Sequence, residues 1–149
     1  MEGARFGDLA AELLARGVTV RFRAAGRSML PTVHDGDCLI VAPVSPREVA
    51  VGDVVLCEGR RGPVAHRVAA VEAAAGGRAR FVLRGDASLE NDPPIDEAHL
   101  RGRVVALERG GRRWPIASPP AAPLRWLREL ARRSALSVFL RALAPRAAG

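Results

Sequence analysis

A chain of 149 residues, 48% hydrophobic, can bury one modest core and is too short for two full domains. Its 23 basic residues outnumber 16 acidic ones for a net charge of +7, and every one of them is arginine, because no lysine occurs. The surplus bears on steering and solubility rather than on fold. With two tryptophans and no tyrosine there is little aromatic interleaving for base stacking, so nucleic acid is not an expected partner.

Residues 6–16 carry Phe6, Leu9, Leu13 and Leu14 at helical spacing and are followed by Gly17, which predicts a short amphipathic helix lidding a sheet, within an N-terminal unit 1–17. From there to 114 the texture changes to short β-rich runs punctuated by glycine, at 18–23, 37–42, 53–58, 63–72, 79–85 and 102–109. The expected fold class is therefore mainly β, a single domain over 18–114. Residues 86–97, with Asn91-Asp92-Pro93-Pro94, read as a polar loop over the sheet. Pro115, Pro119, Pro120 and Pro123 predict an extended linker over 115–123. In 124–149, Leu124, Leu127, Leu130 and Val138 fall on one side of a helical wheel and Arg125, Arg128, Arg132 and Arg133 on the other, which predicts a basic amphipathic helix.

The first 20 residues include Glu2, Arg5, Asp8, Glu12 and Arg16, which leaves no apolar stretch for a secretory signal. No segment reaches transmembrane length, the stretch 136–143 being broken by Arg141. The expected location is the cytoplasm, with peripheral membrane contact through the C-terminal helix left open. Cys38 and Cys57 belong to no metal-ligand spacing and read as reduced, buried thiols. His34, Cys38 and His99 are too irregularly spaced for a metal site, and neither metal nor cofactor is expected. Asp37 and Asp53 each follow a glycine and precede an apolar run, where a carboxylate shapes a strand start by bonding to backbone. Arg60-Arg61 and Arg112-Arg113 read as exposed loop pairs.

Residues 26–37 read Gly26-Arg27-Ser28-Met29-Leu30-Pro31-Thr32-Val33-His34-Asp35-Gly36-Asp37, a serine set after a strand and before a proline-bearing turn. Alone, such a serine caps a turn as readily as it attacks a substrate. The run Ser28-Met29-x-Pro31-Thr32 followed by Gly36-Asp37 resembles the nucleophile box of type I signal peptidases, and three further boxes follow in that family's order. Gly52-Asp53-Val54-Val55 resembles its second box, His66-Arg67-Val68 the base-bearing strand, and Arg84-Gly85-Asp86 with Asp92 the acidic box of the endoplasmic-reticulum type, while Gly102-Arg103-Val104-Val105 resembles the closing strand. The resemblance spans about residues 18–109 and extends to the self-cleaving SOS repressors, whose β-ribbon domain it implies as the fold.

The resemblance implies a serine endopeptidase acting on a peptide or precursor-protein substrate, with small residues on the acyl side of the cut. Most bacterial members use lysine as general base, and without lysine the base falls to His66, which suits the task near neutral pH. Either Asp86 or Asp92 would orient His66; Asp86 is preferred because it sits at a strand end, whereas Asn91-Asp92-Pro93 is a turn sequence in its own right. Signal peptidases commonly carry a hydroxyl residue two positions before the nucleophile, where this chain has Gly26. That departure implies an oxyanion hole built from backbone N–H groups, including that of Ser28. The competing expectation is an inactive descendant that holds an extended peptide as an added strand. Oligomeric state has no signature in the sequence.

Overall fold

The computed structural model describes residues 2–116, with side chains from Gly7 onward. The basic helix expected at 124–149 and all of the expected linker beyond Ile116 lie outside the described residues. One α-helix, α1 (Glu2–Ala15), precedes eight strands: β1 (Val20–Arg23), β2 (Cys38–Ala42), β3 (Val54–Gly59), β4 (Gly62–Ala73), β5 (Ala79–Arg84), β6 (Ile95–Asp96), β7 (Leu100–Arg109) and β8 (Arg112–Pro115). The strands form one antiparallel sheet in the order β1-β2-β7-β3-β4-β5-β6, with β8 added to β7. The mainly β expectation stands. Two strands were not expected: β6, inside the segment read as loop, and β8, which turns Arg112 and Arg113 from a loop pair into a hairpin arm and takes Pro115 out of the linker.

The unbroken run Val54-Val55-Leu56-Cys57 makes β3 a central strand buried on both faces. Alternation then divides its residues between two cores. Val54 and Leu56 join Leu39, Val41, Val104, Leu107, Met29 and Val33, and this is the core on which α1 sets Ala10 and Leu14. Val55 and Cys57 join Val49, Val68, Phe81 and Leu83 on the opposite face. Helix α1 thus covers one face of the sheet against β1, β4 and β7, as its apolar spacing requires.

The geometry that matters for a site is the way β4 changes partner. Its first half pairs with β3, from Gly59↔Gly62 to Val54↔Arg67, and its pairing with β5 begins only at Arg67↔Arg84. Residues 62–66 are therefore left with an open edge on the side away from β3. Among the described residues no helix is long and apolar enough to cross a membrane.

Candidate active site

His66 and Arg67 are adjacent on β4, so their side chains leave the strand on opposite faces. Val55, the register partner of His66, lies in the Phe81 core, and Val54, the partner of Arg67, lies in the core that holds Met29 and Val33. The segment that carries Ser28 packs on the Arg67 side, and at the open edge of β4 it meets the imidazole.

That segment is the loop joining β1 to β2. Its base is closed by two backbone bonds, Ala24 N–H to Asp37 O at 2.8 Å and Gly36 N–H to Ala24 O at 2.9 Å. Asp37 accepts the His34 N–H at 2.7 Å, the strand-start role expected of it, and also takes a forked bond from Arg109 of β7, at 2.8 and 2.6 Å. Arg109 holds the Asp37 carboxyl below its ordinary range, a side-chain hydrogen bond outweighing the opposing effect of burial. Asp53 likewise accepts the Ala50 N–H at 2.9 Å at the start of β3. Gly26 donates its N–H to Asp35 Oδ1 at 2.8 Å and has φ of 90°, a conformation that side-chain-bearing residues avoid. This accounts for glycine at position 26.

Ser28 is exposed at the tip of this loop, and its Oγ lies 3.0 Å from His66 Nε2. On the far side of the ring, His66 Nδ1 lies 2.5 Å from Asp92 Oδ2. The imidazole side chain is only 13% exposed, which limits competition from water for both nitrogens. The N–H groups of Ser28 and Met29 donate to no acceptor among the described residues.

Asp92 comes from a compact loop between β5 and β6 whose ends meet, its N–H bonding back to Leu83 O at 2.8 Å. The same loop is pinned to the Ser28 segment by Ala87 N–H to Ser28 O at 2.9 Å and by Asp86 N–H to Met29 Sδ at 3.4 Å. Gly85 is required at the crossing, because a Cβ there would collide with the Ser28 carbonyl oxygen.

The preference for Asp86 as the orienting acid is corrected by these contacts. Its two oxygens receive the Arg67 fork, Nε to Oδ1 at 2.7 Å and Nη2 to Oδ2 at 2.6 Å, and the Thr32 hydroxyl donates to Oδ2 at 2.5 Å. Asp86 thus faces the guanidinium on one side of β4, while the imidazole leaves on the other. Thr32 and Arg67 stand in the boxes quoted from the sequence, but the reading gave neither a role. The signal was present: a carboxylate at a strand end that becomes buried needs a cation, and Arg67 is the register partner of Arg84, two residues away.

From Ser28 and His66 a groove of about 340 Å³ runs along the open edge of β4, between Pro63-Val64-Ala65 on one wall and Phe22, Ala24, Ala25 and Gly26 on the other. Met29, Val33 and Leu39 also line it. Its lining is apolar apart from Ser28 and His66, and small residues predominate along the walls, which leaves room for an extended chain with short side chains.

His34 and His99 are exposed. Among the described residues, no group of three or more His, Cys, Asp or Glu is placed to hold a metal ion. Cys38 and Cys57 are free thiols. Burial, reinforced by the charges of Asp92 and Glu58, pushes the Cys57 thiol up to about 12, which makes it a packing residue rather than a nucleophile. The sequence matches no model of a known protein family, and a search of curated proteins likewise finds no match.

Proposed function

We propose that the chain is a serine endopeptidase of the signal-peptidase and SOS-repressor kind, in which Ser28 is the nucleophile, His66 the general base and Asp92 the residue that orients His66. The observation that carries this reading is the continuous relay from Asp92 through both ring nitrogens of His66 to Ser28 Oγ, at 2.5 and 3.0 Å, at the end of an apolar groove.

The chemistry follows from the geometry. Nδ1–H donates to Asp92, which leaves Nε2 as the acceptor facing Ser28. As Oγ attacks a peptide carbonyl carbon, its proton passes to Nε2, and Asp92 stabilises the imidazolium so formed. The electron pair pushed onto the carbonyl oxygen is met by backbone N–H groups at Ser28. When the tetrahedral adduct collapses, the C–N bond breaks, the amine leaves with the proton from Nε2, and Ser28 carries the acyl group as an ester. A water molecule, deprotonated by the same nitrogen, then releases the acid. The walls of the groove favour small residues beside the cut, in line with the specificity that the resemblance implies.

The test is labelling of purified protein with a fluorophosphonate, the adduct mapped by intact mass and peptide sequencing. A Ser28 adduct that disappears in His66→Ala is the expected result. Well-folded protein that is not labelled at Ser28 would move the reading to a module that binds an extended peptide along the open edge of β4 without cleaving it.

A further inference from the structure

We infer that Arg67 and Asp86 form a positioning clamp that holds the nucleophile and the orienting acid in register with His66. The inference rests on the proposed Ser28–His66–Asp92 relay and goes beyond it, since neither residue touches the reacting atoms.

The relay draws its three members from three separate segments. His66 is placed by the ladder of β3 and β4. Ser28 and Asp92 belong to loops, with no ladder to fix them. A displacement of about 1 Å between reacting groups is enough to cost about 10²-fold in rate, so something must hold these loops more tightly than their own backbones do. The Arg67 guanidinium is placed to do so. It uses Nε and Nη2 on the two oxygens of Asp86, Nη1 on Gly52 O at 2.8 Å, and reaches Thr32 Oγ1 from Nη2 at 3.5 Å. One cation, one residue from the base, therefore gathers the start of the Asp92 loop, the segment after Ser28 and the turn before β3.

Side-chain exposures of 18% for Arg67 and 16% for Asp86 keep the fork largely out of water, where a bidentate arginine–carboxylate pair is most directional. Lysine could supply the charge but not the fork. The Asp86 backbone closes the arrangement from the other side, its N–H bonded to Met29 Sδ and the neighbouring Ala87 N–H to Ser28 O. Asp86 thus ties the residue after the nucleophile to the strand that carries the base, while Asp92, six residues on, completes the relay.

The experiment compares fluorophosphonate labelling rates at Ser28 for the full chain and for Arg67→Met, Arg67→Lys, Asp86→Asn and Thr32→Val. It also follows the Nδ1–H proton of His66 by NMR in protein labelled with 15N-histidine, a readout that needs no substrate. The expected result is an approximately 10²-fold slower labelling in Arg67→Met and in Asp86→Asn. Arg67→Lys recovers only part of that loss, and Thr32→Val, the mildest change, shows a smaller one. The double variant Arg67→Met/Asp86→Asn is no slower than either single variant, because the pair acts as a unit. The His66 proton signal shifts or exchanges faster in the slow variants. Should Arg67→Met prove too unstable to purify, Thr32→Val and Arg67→Lys carry the same comparison. Folded variants that label at the parent rate, with an unmoved His66 signal and only a lower melting temperature, would overturn the clamp and leave a structural ion pair. Failure of the underlying relay would look different, since His66→Ala would then label at Ser28 as fast as the parent.

Discussion

Strand β4 and the two loops that meet it are built on different principles. In β4 residues 62–68 and 70–73 are placed by backbone pairing with β3 or β5, so His66 has its position by virtue of where it stands in a ladder. In the loops carrying Ser28 and Asp92, position rests on a few isolated bonds, many made by side chains: Asp37 to Arg109, Asp86 to Arg67 and Thr32, and, within its own loop, Asp35 to the Gly26 N–H. A ladder shares its load among many weak bonds. Cross-segment contacts concentrate it in a few residues, and single substitutions in the loops should therefore do damage that single substitutions in β4, His66 and Arg67 apart, do not.

The sharpest contrast is between the two acids. Asp92→Asn, which leaves the shape of its loop but removes the charge facing Nδ1, is expected to slow Ser28 labelling by about 10⁴-fold with little change in melting temperature. Asp86→Asn is expected to combine its smaller loss of rate with a clear loss of stability, because it leaves the Arg67 guanidinium half-buried without its anion. Equal rates for the two variants would erase the distinction between orienting acid and clamp. Gly85→Ala comes next. The added methyl meets the Ser28 carbonyl, so it should cost about 1–3 kcal/mol by denaturant unfolding and displace Ser28, whereas alanine at Gly26 should strain the loop without touching Ser28.

A third comparison concerns acid. Because Arg109 holds the Asp37 carboxyl below its ordinary range, the pair contributes stability above that range and loses it as pH falls through the depressed value. The melting temperature of Arg109→Met should therefore lie below the parent's most clearly near neutral pH, and the gap should close on acidification. The smallest effect is expected at Cys57. With its thiol pushed up to about 12 in the Phe81 core, it should resist alkylation in the native protein at neutral pH and react only on unfolding, which mass spectrometry after a short iodoacetamide pulse would read.

How much of this was legible in advance follows the same division. The helix and six of the eight strands could be read from apolar spacing and glycine punctuation, since ladders and cores impose a period on sequence. The two that escaped are the two-residue β6 and the exposed β8, whose Arg112-Arg113-Trp114-Pro115 has no apolar alternation to show. Ser28 and His66 were singled out only through the boxes that resemble those of signal peptidases, since the turn that carries the serine leaves its role open by itself. The choice between Asp86 and Asp92 could not be made, because it depends on which carboxylate Arg67 takes, and nothing local to Asp92 reveals that it is the one left over. Arg109 on Asp37, 72 residues away in sequence, was hidden for the same reason.

The hairpin between β3 and β4 gives the site an arithmetic. Gly59 pairs with Gly62 across Arg60 and Arg61, and counting from that pair makes residue 66 point to one face and residue 67 to the other. Deleting a single residue between Gly62 and His66 would change odd for even, presenting a guanidinium where the imidazole stands and turning the imidazole to the opposite face. Deleting two would restore the faces but draw both groups about 7 Å along the strand, out of reach of Ser28. A turn of two arginines thus decides, by parity, which of two neighbouring side chains faces Ser28.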